Sequence, residues 1–475
     1  MPLKTPQQYI DSLRDGRVTY WDGERIDDIT THPRFKVPIA MTAKDYDYDS
    51  AEFGASRQYK TEQGGRAHRI YQIPRSEKDL GDRIAMMGHS AISTLTTGVF
   101  MALMSVKDQV GAVNPKYAEN IERMYRFSRD NDLRAAEVIT DPKGDRKRRA
   151  HEQDDPDLYL RIVERNEEGI VVRGAKLHIT AASLIHELVV MPTKGMRQDE
   201  TDYAVSFSIP VATKGVKIIN RSFAPAEVNP FDFPASAHSS MPEGFVVFDD
   251  VFVPWDRVFL AGEVPLASKL AQSLGLWERT GGVVEAVRLS ELFVGLGQLV
   301  TEMQGKDSDP IAQASIAELI TYSEMIRMGL DYACRNFETT PSGMIFPNTL
   351  AINAAKYYYA ANYHQTVRYL HDLGGGLVLT LPLESDLRNE ESGKYIRKYL
   401  HTKPGVDVEQ RMRVYNMIRD LTADAYGGWQ FVVALQAGGG LPAQRLMMNR
   451  TYNMKRAKEI ALKAAGALPA RSTNH

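Results

Sequence analysis

The amino-acid sequence predicts an α+β protein in which helices and strands are segregated along the chain. Helical patterns dominate the first part, β-rich runs separated by turn clusters extend from Leu158 to about Leu260, and helical patterns return from about Pro265. Because helices and strands do not alternate, this order disfavours a doubly wound nucleotide-binding fold. Three domains are predicted: a mainly helical domain over 1–140, a compact β-barrel or sandwich over 141–265, and a helical bundle over 266–475.

The composition is that of a globular protein without a strong overall field. At 475 residues the chain is too long for one simple core, and a formal net charge of -2 favours neither nucleic acid nor an anionic membrane. We find no signal-peptide pattern and no apolar run of about 18 residues that could span a bilayer. The single cysteine, Cys334, excludes an intrachain disulfide and fits a reducing compartment. We therefore expect a cytoplasmic protein.

The N-terminal region begins with a helix-start signal and a short hairpin. Thr5 and Pro6 have the residue types of an N-cap and a first helical position, and RVTYWDGERIDD predicts two short strands around Asp22-Gly23. The segment that follows, to about Gln72, is polar and is predicted to be irregular. Helical patterns then cover Ser76 to Asn114 and Tyr117 to Asp132.

The remaining strands and helices are predicted from runs with strand-like or helix-like hydrophobic periodicity. The β-rich runs are SLIHELVVMP, DYAVSFSIPV, VKIINRSF and EGFVVFDDVFVPWDRVFL. The later helical patterns cover Ala267 to Met303, Asp309 to Phe337, Leu350 to Leu373, Val408 to Ala437 and Ala443 to Ala465.

A polar loop before a hairpin is the stretch most indicative of function. The loop, Ile139 to Arg146, reads ITDPKGDR, and the hairpin after it ends in Lys176 to Ala181. Backbone amides and Arg146 suit a phosphate group, and the Thr180 hydroxyl suits the edge of a heteroaromatic ring. The sequence therefore indicates a site for a large anionic cofactor, with an ordinary surface turn and hairpin as the alternative.

Two glycine runs at helix ends have a similar double interpretation. They are HDLGGGL (His371 to Leu377) and LQAGGGLP (Leu435 to Pro442). Each is typical of a helix C-terminal stop, and each would also let a backbone approach a pyrophosphate closely. No GxGxxG follows a strand and no Walker motif is present, so the chain has no nicotinamide or nucleoside triphosphate fingerprint.

Motifs spread over nearly the whole chain carry a family resemblance. They are TPQQYIDSLRDGR, NDLRAAEVITDPKGDR, DPDLYLRIVERNEEGIVVRGAKLHITAA, DYAVSFSIP, VVFDDVFVPWDRVFL, LGGGLVLTLPLESD and PAQRLMMNR. Together they resemble the family that joins 4-hydroxyphenylacetate 3-monooxygenase with 4-hydroxybutyryl-CoA dehydratase. The TDPKGDR and DPDLYLRIVE segments look closer to the dehydratase branch.

The resemblance implies an acyl-CoA-dehydrogenase-like architecture: an N-terminal helical domain, a middle β-barrel and a C-terminal helical bundle. It also implies FAD between the middle and C-terminal domains, and a homotetramer, a dimer of dimers, in which the glycine turn belongs to a neighbouring subunit's flavin site. By resemblance the flavin-binding positions are Ile139, Thr140, Asp141, Pro142, Lys143, Gly144, Asp145, Arg146, Gln153, His178, Ile179, Thr180, Ala181, Gly438, Gly439 and Gly440.

Departures from the dehydratase branch indicate a changed chemistry. That branch holds a [4Fe–4S] cluster on three cysteines and a histidine. Here the cysteine positions align with Thr94, Gly98 and Val283, and the histidine with Leu276 or Trp277. We therefore expect no iron–sulfur cluster and no other metal. A second carboxylate of that branch falls at Ala434, whereas Glu243 is retained.

The aromatic-hydroxylase branch is matched only in part. Its substrate-binding Arg and Tyr are replaced in TLTTGVFMALM, and the histidine before its flavin loop is Glu137 here. Glu137 is a candidate general base, with an exposed or salt-bridged glutamate as the alternative. The candidate catalytic residues are Glu137, Thr180, Thr94, Thr97 and Glu243.

Three functions are compatible with these residues. The favoured one is a two-component monooxygenase that hydroxylates a small organic substrate, in the first instance an aromatic one, with O2 and reduced FAD from a separate reductase. The second is a cluster-free isomerase or dehydratase-like enzyme acting on an acyl-CoA-type substrate. The third is a non-catalytic flavin-binding protein, which the missing substrate residues suggest and the intact flavin loop disfavours.

Overall fold

The computed structural model describes residues 3–224 and 228–467. Within these residues, no helix is both long and apolar enough to cross a membrane.

The N-terminal region combines helices with short strands. Its helices are α1 (Pro6–Ser12), α2 (Pro33–Lys44), α3 (Gly54–Arg57), α4 (Glu77–Met87), α5 (Ile92–Leu95), α6 (Val99–Gly111) and α7 (Pro115–Asp130). Its strands are β1 (Thr19–Trp21), β2 (Glu24–Ile26), β3 (Gln58–Lys60), β4 (Arg66–His68) and β5 (Ala135–Val138).

The start of the chain folds as its local chemistry predicts. The Thr5 hydroxyl accepts the Gln8 N–H at 3.2 Å, while the Gln8 side-chain oxygen accepts the Thr5 N–H at 2.8 Å, so α1 begins with a capping box. The predicted hairpin is confirmed as β1 and β2. The prediction of an irregular segment to Gln72 is wrong, because it contains α2. Pro38 lies inside that helix and hides its pattern in the sequence.

The middle region supplies most of the sheet strands. They are β6 (Arg161–Arg165), β7 (Gly169–Thr180), β8 (Glu187–Val190), β9 (Val205–Pro210), β10 (Val216–Arg221), β11 (Glu243–Pro254) and β12 (Val258–Ala261), with the short helix α8 (Ser236–Ser239). One sheet has the order β2-β1-β10-β11-β7-β6, and a second has the order β12-β9-β8-β5. The sheets contact each other through buried aromatic rings such as Phe207 and Phe248, whose centroids are 6.0 Å apart.

Strands from the first 140 residues complete both sheets. β1 pairs in parallel with β10, and β5 pairs in parallel with β8. The second pairing fixes the strand that carries Glu137 next to the middle region. The domain boundaries near residues 140 and 265 stay predictions.

From 264 to 467 the C-terminal region is helical apart from one small hairpin, β13 (Glu338–Thr339) with β14 (Ile345–Phe346). Its helices are α9 (Val264–Met303), α10 (Pro310–Arg335), α11 (Thr349–Gly374), α12 (Leu377–Thr380), α13 (Glu384–Arg388), α14 (Glu390–Tyr399), α15 (Val408–Thr422), α16 (Ala425–Gln436), α17 (Leu441–Thr451) and α18 (Met454–Ala464). The two last predicted helices are each divided. Asp424 ends one segment and caps α16 by accepting the Ala425 N–H, and Asn453 caps α18.

Candidate active site

The loop predicted to hold a cofactor leaves the end of β5 and is fixed to β7. The Lys176 ammonium lies 2.6 Å from an Asp141 carboxylate oxygen and donates to the Ile139 carbonyl at 2.9 Å. The Leu177 N–H donates to the Thr140 carbonyl at 2.7 Å. Both side chains of the ion pair are buried. A buried pair whose other groups are also bonded fixes the geometry of a loop more than it adds stability.

Gly144 and Gln153 set the shape of this loop. Gly144 has φ +52°, and a Cβ there would lie 2.5 Å from Gln153 Oε1 and 2.7 Å from Leu158 Cδ2. The Gln153 amide accepts the Asp145 N–H at 3.0 Å and donates to the Asp145 carbonyl at 2.9 Å. Gln153 therefore clamps the loop by its two hydrogen bonds to the Asp145 backbone. A side chain at position 144 would displace the Gln153 side chain.

The outer part of the loop presents donors and positive charge. Lys143 and Arg146 are exposed and make no ion pair with any residue that the structure describes. Within residues 3–224 and 228–467, no acceptor is bonded to the N–H groups of Lys143, Gly144 or Arg146. Pro142 is buried and anchors the loop. Exposed amides beside arginine and lysine suit a phosphate group.

The end of β7 lies beside this loop and has an unusual backbone. His178 has φ +58° and Ala181 has φ +60°, and the pairing of β7 with β11 shifts register between Gly244 and Val246. Positive φ in non-glycine residues is costly and is found where function requires a particular geometry. Burial and the charge of Lys143 lower the pKa of His178. Ile179 between them is fully buried, so the segment presents His178 and Thr180 on the other side of the strand.

Thr180, Glu243 and Trp429 form a hydrogen-bonded trio. The Thr180 hydroxyl donates to one Glu243 oxygen at 2.9 Å, and the Trp429 indole N–H donates to the other at 3.2 Å. Burial raises the pKa of Glu243, and these two donors oppose that rise. Because Trp429 belongs to α16, the trio joins the sheet to the C-terminal helices.

A cavity of about 650 Å³ opens beside this trio. Aromatic and cationic side chains meet in it, and the Phe223 and Trp429 rings stack at 4.3 Å. Its lining includes Trp21, Arg34, Arg221, Phe223, Glu243 and Trp429.

Glu137 lies on β5, two residues before the loop begins at Ile139. Its carboxyl group is partly buried and has no hydrogen bond with any described residue. Burial, and then the charge of Glu278 on α9, raise the pKa of Glu137 well above its usual range. Of the two alternatives for this residue, an exposed or salt-bridged side chain is therefore wrong.

Glu278 belongs to a group of charged residues around the glycine turn that follows α16. Its carboxylate accepts the Gly438 N–H at 2.9 Å, and Arg279 donates to the Gly438 carbonyl at 2.8 Å. Lys356 on α11 is buried and donates to the Ala434 carbonyl at 2.8 Å. Burial lowers the pKa of Lys356 to about 8, although Glu278 opposes this shift. Glu278 and Arg279 on α9 thus hold the glycine turn at Gly438.

The N–H groups of the glycine turn are already hydrogen-bonded within the protein. The Gly439 and Gly440 N–H groups donate to the Gln436 carbonyl at 3.0 and 3.3 Å, and the Gly438 N–H is used by Glu278. Gly438 and Gly439 have φ near +75°, which suits glycine. A ligand at this turn would therefore meet an open backbone surface rather than free amides.

Thr94 and Thr97 lie behind Glu137 and are committed to structural contacts. The Thr94 hydroxyl donates to Asp45 at 2.6 Å, and the Thr97 hydroxyl accepts the Ala135 N–H at 3.1 Å. Both threonines are fully buried. Thr97 holds the first residue of the strand that carries Glu137, and a direct catalytic role for either threonine stays a prediction.

Sequence reasoning did not select Glu278, Arg279, Lys356 or Trp429. One signal for the first three was available, because each is a charged residue inside an apolar helical run. Glu278 and Arg279 precede Gly281-Gly282, where the helices pack closely enough for a Gly282 Cβ to lie 3.4 Å from Lys356 Cε. Charges in such a setting are often functional.

Family models cover almost the whole chain. The model described as 4-hydroxyphenylacetate 3-hydroxylase N terminal matches residues 5–260, and the corresponding C-terminal model matches residues 267–466.

Curated relatives carry two kinds of activity. The chain is 29% identical over 441 residues to the 4-hydroxyphenylacetate 3-monooxygenase oxygenase component of Thermus thermophilus, and the match covers 90% of each chain. It is also 29% identical over 492 residues to the 4-hydroxybutyryl-CoA dehydratase/vinylacetyl-CoA-Delta-isomerase of Clostridium aminobutyricum, covering 98% of this chain and 99% of that protein.

Solved structures give the same two groups. An oxygen-tolerant 4-hydroxybutyryl-CoA dehydratase from N. maritimus superimposes with a TM-score of 0.91 at 27% identity, covering 100% of this chain and 97% of the other. The oxygenase component of 4-hydroxyphenylacetate 3-monooxygenase complexed with FAD superimposes with a TM-score of 0.88 at 28% identity, covering 97% and 99%. A glutaryl-coenzyme A dehydrogenase at 12% identity has a TM-score of 0.51 over 100% and 99% of the chains, and shares the fold alone. The acyl-CoA-dehydrogenase-like architecture is thus confirmed, and the chain belongs to the 4-hydroxyphenylacetate 3-hydroxylase family.

Proposed function

We propose that this protein is the oxygenase component of a two-component monooxygenase. It would hydroxylate a small aromatic substrate with O2 and reduced FAD, the flavin coming from a separate reductase. The observation that carries the proposal is the match, over 97% of this chain, to an oxygenase component complexed with FAD. The loop and strand end described above supply groups of the kind that such a cofactor needs.

The residues present fit a flavin. The exposed amides at 143, 144 and 146 and the Arg146 guanidinium would hold its phosphates, because charged donors bind phosphate strongly. Thr180, whose hydroxyl donates to Glu243 at 2.9 Å, would meet the edge of the ring system. In its reduced form the bound FAD would supply the two electrons with which one O2 converts a substrate C–H bond to C–OH and releases water.

The chain's own residues would orient the substrate and exclude water. Glu137 is a partly buried carboxyl group without a partner among the described residues, so it is available to a substrate. Thr97 holds the first residue of the strand that carries Glu137, and Lys356 and Arg279 supply positive charge beside Glu278. A buried setting strengthens each of these electrostatic contacts.

The proposal includes a homotetramer. A face of α10 formed by Met325, Met328 and Tyr332, here called the α10 apolar face, has exposed fractions of 46%, 52% and 58%. Contiguous apolar side chains on a helix surface commonly mark a protein–protein contact. A second copy of this chain is the partner that the family resemblance implies.

A second function is favoured by a specific observation. The match to the dehydratase/isomerase covers 98% of this chain, and Glu243 is retained. Against it, the positions of the cluster cysteines hold Thr94, Gly98 and Val283, which have no thiolate to hold an iron–sulfur cluster. An acyl-CoA isomerase or lyase here would have to work without a Lewis-acid iron.

The decisive experiment mixes the anaerobic complex of protein and reduced FAD with oxygenated buffer in a stopped-flow spectrometer. We expect a transient absorbing species that precedes oxidised flavin and lives longer than in free solution. Immediate reoxidation without such a species, together with tight binding of oxidised FAD, would overturn the monooxygenase proposal. Turnover of an acyl-CoA by that same complex would establish the second function.

A matched pair of variants tests the flavin site in the same experiment. Arg146→Met removes the cation assigned to the phosphates, and Lys147→Met removes its exposed neighbour. A hydrogen bond to a charged group contributes about 1.5–3 kcal/mol, so Arg146→Met should weaken reduced-FAD binding by at least about tenfold. Equal affinities of the two variants for reduced FAD would show that Arg146 does not bind the flavin phosphates.

A further inference from the structure

Thr180 and Glu243 face each other across two neighbouring strands. They are direct partners in the antiparallel pairing of β7 with β11, and the Thr180 hydroxyl donates to one Glu243 oxygen at 2.9 Å. Side chains at directly opposite positions of such a pair lie close enough to interact. The hydrogen bond between them is therefore set by the register of the two strands.

Trp429 on α16 fixes the second oxygen of the Glu243 carboxylate. An indole N–H donates and cannot accept, so the Glu243 oxygen that it reaches at 3.2 Å is an acceptor. The Trp429 ring is itself held by stacking on Phe223, with the ring centroids 4.3 Å apart. A carboxylate with one donor at each oxygen directs the Thr180 proton towards Glu243.

The direction of this bond decides what Thr180 offers to a ligand. A threonine hydroxyl has one proton and two lone pairs. Because its proton is given to Glu243, Thr180 presents lone pairs, and the side chain is exposed enough for a ligand to reach them. The edge of an oxidised flavin ring carries a bare nitrogen that accepts a hydrogen bond, whereas reduction converts that nitrogen to an N–H donor. An acceptor at this edge therefore matches the reduced ring.

We propose that Glu243, as a carboxylate, is a positioning residue that orients the Thr180 hydroxyl as an acceptor and so makes the flavin site prefer reduced to oxidised FAD. The inference rests on the proposed function in one respect, which is that the flavin ring edge meets Thr180. It deepens that function, because an oxygenase component supplied by a separate reductase has to select the reduced cofactor. Trp429 contributes by holding the carboxylate oxygen that Thr180 does not use.

Glu243→Gln should reverse the orientation of Thr180. Since Trp429 can only donate, the new amide oxygen faces Trp429 and the amide nitrogen faces Thr180. Thr180 then accepts from the amide and turns its own proton towards the ring edge, which suits oxidised flavin. We expect the Kd for oxidised FAD divided by the Kd for reduced FAD to fall by about tenfold. For a two-electron couple, this change lowers the midpoint potential of bound FAD by about 30 mV.

The sign of the shift separates orientation from charge. Removing a negative charge beside the flavin would by itself favour the electron-rich reduced form and raise the potential. Thr180→Val removes the hydroxyl without supplying a donor, so it should lower the potential by less than Glu243→Gln does. Adding Glu243→Gln to Thr180→Val should cause no further fall, because the hydroxyl that Glu243 orients is gone. Thr180→Val also provides a test if Glu243→Gln does not fold.

The measurement is anaerobic titration of the full-length protein with each form of FAD, together with the midpoint potential of bound FAD followed by absorbance. The wild type should bind reduced FAD more tightly than oxidised FAD. Glu164→Gln, which changes an exposed glutamate on β6 of the same sheet, is the control and should keep the wild-type ratio.

The outcomes distinguish this inference from the proposed function. Equal affinity of the wild type for both forms would overturn the inference, as would an unchanged or raised potential in Glu243→Gln. An equal fall on adding Glu243→Gln to Thr180→Val would also overturn it. Binding of neither form would overturn flavin binding and the inference together. Because no O2 is present, a failed monooxygenase test leaves the measured preference intact.

Discussion

At the scale of the residue, Glu137 shows what sequence can and cannot predict. Its place before ITDPKGDR marked it as a candidate catalytic group, and the structure adds that it is partly buried and that burial, with the charge of Glu278, raises its pKa. The environment of Glu137 comes from α9, which follows much later in the chain. No local pattern around Glu137 could therefore have predicted the contribution of Glu278 to its raised pKa.

Burial of Glu137 should cost stability at neutral pH. Burial and Glu278 raise its pKa in the folded state above the value in the unfolded chain. Below the unfolded value, both states are protonated and there is no cost. As the pH rises above it, the unfolded chain ionises first, so the folded state loses relative stability until the pH passes the folded pKa.

Glu137→Gln should therefore increase the free energy of unfolding at neutral pH, by about 1.4 kcal/mol for each unit of pKa shift. The gain should vanish as the pH falls below about 4.3, the usual glutamate value. Urea unfolding across this range checks the prediction, with Glu291→Gln as the exposed control. A gain independent of pH would contradict it.

At the scale of the element, helix and strand types were predictable wherever the period was strong. The long helices α9, α10 and α11 lie close to their predicted ranges. The breaks between α15 and α16 and between α17 and α18 were harder to predict. Asp424 and Asn453 interrupt helical patterns whose apolar periodicity continues on both sides. The conformation of the cofactor loop was also hidden, since Gln153 clamps it by contacts that sequence spacing does not specify.

Gly144→Ala tests whether this clamped shape is needed for flavin binding. Gly144 and Gly64 both have positive φ, so alanine at either position should cost about 1–2 kcal/mol of backbone strain. An added Cβ meets Gln153 and Leu158 at 144, but nothing within 4 Å at 64. We expect Gly144→Ala to weaken FAD binding by about tenfold or more and Gly64→Ala to leave it unchanged, as measured by titration of flavin fluorescence. Equal affinities would show that the loop's clamped shape is not required.

At the scale of the whole molecule, the segregation of helices and strands predicted the architecture. What it did not predict was that β1 pairs with β10 and β5 with β8. Parallel pairs join segments that are distant in sequence, and their register depends on packing rather than on any local signal. Those two pairings matter for function, because the second one fixes against β8 the strand that carries Glu137 and leads into the cofactor loop.

Assembly of the whole molecule depends on surfaces that a single chain leaves exposed. If the α10 apolar face contacts a second copy, lysine at Met325 and Met328 together would bury unpaired charge in that contact, which is strongly unfavourable. The double variant Met325→Lys/Met328→Lys should therefore have a smaller mass than the wild type by light scattering coupled to size-exclusion chromatography. Val113→Lys, which changes an isolated side chain that is 55% exposed after α6, is the control and should keep the wild-type mass. An unchanged mass in the double variant, with the wild type oligomeric, would place the contact between copies on another surface.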